Sequence, residues 1–144
     1  KPGGRFVYRD AVWHGADLLG TGVASFSHVN GIHFQNEPGW EPYLARVEAG
    51  EAPISRAFEP TASERLTREM ILQLKLGRLD PAYFRDKFGV DVVEAFRPAF
   101  ERLAERELLT FSRDEIRLSR SGLLRVDSLL PEFYAEQYRG ARYT

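Results

Sequence analysis

The run Thr61-Ala62-Ser63-Glu64-Arg65-Leu66-Thr67-Arg68-Glu69-Met70-Ile71-Leu72-Gln73-Leu74 is where the chain changes grammar. Thr61 to Glu64 reads as a capping box: the threonine hydroxyl takes the N3 amide and the glutamate reaches back to the cap. Leu66, Met70, Ile71 and Leu74 then mark one face at helical spacing, and Gly77 ends the helix. Everything after this point continues in the same idiom. Asp80-Pro81 opens a short helix carrying Tyr83, Phe84 and Phe88, stopped by Gly89. Asp91-Val92-Val93-Glu94 is a second capping box, with Val92, Val93, Phe96, Phe100 and Leu103 as its apolar face and Pro98 kinking or crowding the early turns. Leu108 to Phe111 and Ile116 to Leu118 alternate about a polar turn at residues 112–115 and predict a β-hairpin. Ser119 to Ser121 start a last helix bearing Leu123, Val126, Leu130, Phe133 and Tyr134, interrupted late by Pro131. Three helices, a two-stranded wing and a helix is a winged-helix order.

Upstream of residue 60 the text differs. Phe6-Val7-Tyr8, Leu18-Leu19, Val23-Ala24-Ser25-Phe26 and Gly31-Ile32-His33-Phe34 read as short strands punctuated by Gly15, Gly20 and Gly22. They are too few and too short for a sheet of their own, which predicts that they complete one whose other strands lie upstream. Trp40 to Ala49 predicts an amphipathic helix through Trp40, Tyr43, Leu44 and Val47. Residues 50–60, with two prolines, read as a linker along the surface.

The bulk numbers bound the function. A chain of 144 residues with 43% hydrophobic residues suits one ordinary domain with a core. Twenty basic against 21 acidic side chains leave a formal charge of -1, so no global pull toward nucleic acid or an anionic membrane is expected. No apolar run approaches the ~18 residues of a membrane span. Cysteine is absent, which excludes a thiol nucleophile or a thiolate-held cluster within these residues. His14, His28 and His33 are too few and too irregular to predict a metal site. The start at Lys1, with no initiator Met before it, reads as a position inside a longer chain.

A winged helix invites a nucleic-acid reading. The helix that would enter the major groove, Asp91 to Glu107, sets Asp91, Glu94, Glu101, Glu105 and Glu107 against Arg97, Arg102 and Arg106. Groove-reading helices gather cations and amides instead. The sequence therefore favours a helical cap of winged-helix topology over a DNA reader, with a winged-helix interaction module that binds a partner as the alternative for residues 60–144.

Asp17-Leu18-Leu19-Gly20-Thr21-Gly22-Val23-Ala24-Ser25-Phe26-Ser27 is the most distinctive run. Two glycines one residue apart let a backbone approach either a ligand or a neighbouring strand closely. The third glycine and the following helix of a dinucleotide fingerprint are missing. The run resembles the D-L-L-G-x-G-x-x-A/S-x-S signature of oxygen-independent coproporphyrinogen III oxidases. Gln35-Asn36, Tyr43-Leu44, Gly50-Glu51-x-Pro53, Ile71-Leu72-x-Leu74-Lys75-Leu76, Phe88-Gly89, Leu108-Leu109, Ile116-x-Leu118-Ser119-x-x-Gly122 and Asp127 follow in the family's order over nearly the whole chain.

The resemblance implies an α+β chain: the last strands of an incomplete (β/α)6 radical-SAM barrel in residues 1–36, a connecting helix and linker in 37–60, and a mainly helical, winged-helix-like domain in 61–144. It implies a parent protein that holds a [4Fe–4S] cluster in an upstream three-cysteine loop. That parent would cleave S-adenosylmethionine to a 5'-deoxyadenosyl radical and decarboxylate the propionates of coproporphyrinogen III in the cytoplasm. Without cysteine, these residues alone are not expected to perform that chemistry. In such oxidases the residue at Phe26 lies near S-adenosylmethionine, where it either stacks on adenine or fills core. Gly20, Gly22, Ala24 and Ser25 would line the same wall, with Val7 and Tyr8 at the mouth. Arg9 would pair with a substrate propionate. The haem-chaperone branch carries H-N-x-x-Y-W where this chain has Tyr8-Arg9-x-x-Val12-Trp13, followed by His14 as a displaced candidate axial ligand. Haem carriage is thus the second implication, and radical-mediated haem breakdown a third.

Overall fold

The Thr61 capping box forms as the sequence predicts. In a computed structural model describing residues 4 and 6–139, the Thr61 hydroxyl accepts from the Glu64 amide at 3.3 Å and the Thr61 amide donates to the Glu64 carboxylate at 2.8 Å. The expectation for Lys1 falls outside the described residues. The chain is mixed α and β and divides into two compact units, Lys1–Arg65 and Leu66–Thr144.

In the first unit, α1 (Val7–Trp13) replaces the strand expected at Phe6 to Tyr8. β-propensity loses there to local pairing. Asp10 N donates to the carbonyl of Phe6, and the Arg9 guanidinium lies 5.3 Å from the Trp13 ring one turn on. Leu18 forms a single antiparallel bridge to His28, both amide–carbonyl bonds being made, at 2.7 and 2.8 Å. The strand expected at 23–26 is instead a turn over residues 22–25, because Gly22 and Ala24 take φ of +100° and +60°. Pairing begins only at β1 (Phe26–Val29). Asn30 and Gly31, both at positive φ, close a two-residue hairpin into β2 (Ile32–Asn36). His28 and His33 oppose each other across it with rings 4.3 Å apart.

The helix expected at Trp40 forms as α2 (Trp40–Glu48). The linker expected at 50–60 contains β3 (Ile54–Phe58), which pairs antiparallel with β2 and completes a three-stranded sheet of order β1-β2-β3. Pro53 and Pro60 flank β3, as suits an edge strand. The register shifts between Gln35 and Asn36.

The second unit holds the main core. The long helix α3 (Ala62–Leu74) contributes Leu66, Met70 and Leu74; β4 (Arg78–Leu79), a strand the sequence did not announce, contributes Leu79. Asp80 caps α4 (Pro81–Phe88), Pro81 stands at its first position, and Gly89 ends it at φ +67°. The second capping box is half realised. Asp91 accepts from the amides of Val93 and Glu94, but the Glu94 carboxylate turns to Arg97. Pro98 breaks the helix rather than kinking it, leaving α5 (Val92–Ala95) and α6 (Arg97–Glu105) either side of Phe96.

β5 (Leu109–Phe111) and β6 (Ile116–Leu118) make the expected hairpin, joined by β4 in the order β4-β6-β5. The last expected helix is divided into α7 (Arg120–Leu124), α8 (Val126–Leu129) and a 3-10 turn at Leu130–Phe133. Gly122 permits α7 to lie against the hairpin, since a Cβ there would sit 2.0 Å from the carbonyl of Leu108. Phe84, Phe100 and Ile116 are fully enclosed, and Phe133 packs 5.2 Å from Phe100.

Candidate functional site

The glycine-rich run becomes a tied loop rather than a strand. Its carbonyls at residues 20, 22 and 24 are each held by a side chain from the end of β2. Asn36 Nδ2 donates to Gly20 at 3.3 Å and to Gly22 at 3.0 Å, while Gln35 Nε2 donates to Ala24 at 3.1 Å. Two amides are fixed in turn, Gly20 N on Ser27 Oγ at 3.0 Å and Gly22 N on the Tyr43 hydroxyl at 3.2 Å. The Ser25 hydroxyl donates to the Thr21 carbonyl at 2.7 Å, and Ala24 N to the Glu37 carbonyl at 2.9 Å. Gln35 is itself steadied by Arg56 Nε on its Oε1 at 2.8 Å. Asn36 and Ser27 are themselves buried, so the bonds they make to Gly20 and Gly22 are partly shielded from water, where leaving a carbonyl unpaired costs more.

Glycine is required at residue 20 for space. A Cβ there would lie 2.4 Å from the Phe26 carbonyl. At Gly22 it is required for conformation, φ being +100° with nothing nearer than Ser25 Oγ at 3.7 Å. Ala24 adopts φ +60° without being glycine, a strained choice in the middle of the loop. Phe26 leaves the loop with 62% of its surface exposed, so it does not fill the core of this chain.

Gly20, Gly22, Ala24, Ser25 and Phe26 thus share one loop. Tyr8 and Arg9 stand on a different element, α1. Tyr8 is exposed. The Arg9 guanidinium holds the Asp10 carboxylate through Nε and Nη2 at 3.0 and 2.8 Å and lies beside the Phe6 and Trp13 rings. His14 Nδ1 sits 2.6 Å from the Asp10 carbonyl. Among the described residues no three His, Cys, Asp or Glu side chains converge to hold a metal, and no helix is long and apolar enough to cross a membrane.

The second unit has a charged cluster of its own. Glu69 is buried and accepts from the Tyr83 hydroxyl at 2.7 Å and from Lys87 Nζ at 2.8 and 2.9 Å. Burial pulls the Lys87 ammonium down, but its hydrogen bonds to Glu69 and Tyr83 outweigh this and hold it above the ordinary lysine value. Burial raises the Tyr83 phenol, with the Glu69 carboxylate acting in the same sense. Nearby Arg68 is lowered by burial, partly countered by Glu69. An open cleft of about 430 Å³ lies between α5, the start of α6 and the β5–β6 turn, lined by Asp91, Glu94, Arg97 and Arg113 among others. Its charges pair locally, Arg97 with Glu94 and Glu101 and Arg85 with Asp91. Arg102 and Arg106 both turn to Glu132.

Sequence reasoning does not single out Asn36, Gln35, Tyr43 or Ser27 as anchors of the loop. The signal is a pair of adjacent amide side chains a short way beyond a glycine-rich run, and it is weak without the fold.

Residues 61–125 match the family described as HemN C-terminal domain. An oxygen-independent coproporphyrinogen III oxidase from Thermostichus vulcanus is 28% identical over 136 residues, covering 90% of this chain and 42% of the relative. The solved coproporphyrinogen III oxidase (HemN) of Escherichia coli, described as a radical SAM enzyme, superposes with a TM-score of 0.72 at 22% identity over 82% of this chain and 28% of that one. The chain therefore spans about two fifths of the curated relative, and at this identity the structural likeness establishes the fold alone.

Proposed function

Because this chain is similar to the C-terminal portion of oxygen-independent coproporphyrinogen III oxidase, we propose that it serves a radical-SAM protein of porphyrin biosynthesis by closing the barrel and covering the substrate. The parent's reaction is the oxidative decarboxylation of coproporphyrinogen propionates. When bound upstream, the [4Fe–4S] cluster and S-adenosylmethionine supply the hydrogen-abstracting radical. None of the residues of this chain can ligate the cluster through a thiolate, since cysteine is absent.

One observation carries the reading: an exposed aromatic ring, Phe26, stands at the end of a loop whose carbonyls at residues 20, 22 and 24 are fixed by side chains of β2. Such a loop offers a preorganised apolar wall for an adenine ring, with Gly20, Gly22, Ala24 and Ser25 allowing close backbone approach and Tyr8 at the margin. Arg9 keeps Nη1 outside its hydrogen bonds to Asp10 and can offer it to a propionate.

The bridge at Leu18 supports the role of residues 1–36 as the end of a barrel. Leu18 spends both of its backbone groups on His28, outside β1 in the sheet, and Leu19 beside it is exposed. An upstream strand can pair there, since antiparallel strands often border parallel sheets. Residues 37–60 then form the connection. The order α3, β4, α4, α5–α6, β5, β6 in residues 61–144 suits a winged helix, used here as a cap.

The test is anaerobic reconstitution of the full-length protein with reductant, S-adenosylmethionine and coproporphyrinogen III. Conversion to protoporphyrinogen IX, lowered in Phe26→Ala, is expected. A cluster-loaded protein that converts none would overturn the proposal, and a haem-like Soret band lost in His14→Ala would replace it with haem carriage.

A further inference from the structure

We infer that Asn36 is the positioning residue of the cofactor-facing loop, with Tyr43 as its second anchor; the inference rests on the reading of that loop given above. An asparagine side chain has two N–H donors on one nitrogen. Asn36 directs its amide nitrogen at two carbonyls two residues apart, Gly20 at 3.3 Å and Gly22 at 3.0 Å, while its backbone amide donates to Ser25 at 2.9 Å. One residue therefore fixes three points of the arc 20–25, from a position only 5% exposed. Tyr43 fixes the same arc from α2, its hydroxyl accepting from Gly22 N at 3.2 Å.

Asn36 is buried and Tyr43 half-buried, whereas Phe26 is exposed at the end of the loop. The effect of the two anchors on binding runs through the backbone: a loop already held in its bound shape loses less freedom when the ligand arrives. Aspartate has the shape of asparagine but no N–H donor, so Asn36→Asp sets a carboxylate against two half-buried carbonyls and should push the arc outward. Tyr43→Phe removes a single acceptor and leaves the fold otherwise intact.

The experiment uses the full-length, cluster-loaded protein. S-adenosylmethionine affinity is measured by equilibrium dialysis, and amide exchange over residues 18–28 is followed without it. Asn36→Asp is expected to weaken S-adenosylmethionine binding by about tenfold or more, the equivalent of about 1.4 kcal/mol. It should accelerate exchange in the arc while leaving cluster content and the amides of β5 and β6 unchanged. Tyr43→Phe should do the same to a smaller extent, and it stands in if the aspartate variant fails to fold. Phe26→Ala separates the role of the anchors from the role of the loop. If Phe26→Ala weakens binding and folded Asn36→Asp and Tyr43→Phe do not, the anchors are merely structural and the inference fails alone. If Phe26→Ala binds as tightly as the parent protein, the reading of the loop itself falls.

Discussion

Replacing Gly20 by alanine tests whether the glycine-rich loop is built on space or on conformation. The added Cβ would lie 2.4 Å from the Phe26 carbonyl and 3.0 Å from Ser25 Cβ, and the first of these is backbone that cannot rotate away. The loop must retreat from β1, and its two ties at Gly20, to Ser27 Oγ and Asn36 Nδ2, lengthen with it. Overpacking of this kind costs about 1–3 kcal/mol. Two weakened bonds in a buried setting add up to about 1 kcal/mol each. A local loss of about 1–5 kcal/mol corresponds to at least about fivefold faster amide exchange.

Hydrogen exchange read at Leu18, Ser27 and His28 is the direct assay, because the paired amides of Leu18 and His28 lock the loop to β1. The amides of β6, in the other unit, serve as an internal standard. Gly22→Ala is the companion: with open space but φ +100°, its cost is conformational, about 1–2 kcal/mol. Equal exchange in wild type and Gly20→Ala would refute the close-approach argument, and a larger effect at Gly22 than at Gly20 would invert it.

Two further outcomes are expected. Lys87 is held above its ordinary value, against burial, by its hydrogen bonds to Glu69 and Tyr83, and Tyr83 is raised chiefly by burial, so both groups contribute stability below their ordinary values that is lost as pH rises through the raised ones. Urea midpoints should therefore fall from about pH 10 upward, and less so in Glu69→Gln, which at neutral pH should cost roughly 1–3 kcal/mol; parallel alkaline curves would rule this out. Thr61→Ala should destabilise α3 by about 1 kcal/mol, seen as exchange at its first amides, and an unaltered helix start would show that the capping box is idle.

The parts of the fold that the sequence disclosed are those written in local chemistry. Asp80-Pro81 with Gly89, Thr61 with Glu64, and the alternation across residues 108–118 each name an element and its ends. What stayed hidden depends on partners distant in sequence. β3 is a short segment between two prolines, and only its pairing with β2 makes it a strand. β4 is two residues long and exists through β6. At Phe6 to Tyr8 the β-branched and aromatic residues pointed to a strand, but contacts one helical turn apart prevailed. Asn30-Gly31 is a local hairpin signal of the same kind as the caps, and both residues take the positive φ that such a turn requires.

In the candidate site the glycines marked a run that folds as one tied loop, with Phe26 exposed at its end. The anchors did not declare themselves, because nothing in an asparagine at the end of a strand says which distant carbonyls it will meet. Ala24 was equally opaque, since alanine gives no sequence hint of a positive φ.

That alanine bears on how the protein would respond to selection. Every alanine codon becomes a glycine codon by one base change, so relief from the left-handed conformation, about 1 kcal/mol, is always a single mutation away. A library screened for thermal survival alone should therefore enrich Ala24→Gly early. If the loop faces S-adenosylmethionine as proposed, a library screened for survival and S-adenosylmethionine binding together should retain alanine, because a second glycine so close to Gly22 would let the loop wander. The two enrichment profiles at this one position would separate what the loop needs in order to fold from what it needs in order to bind.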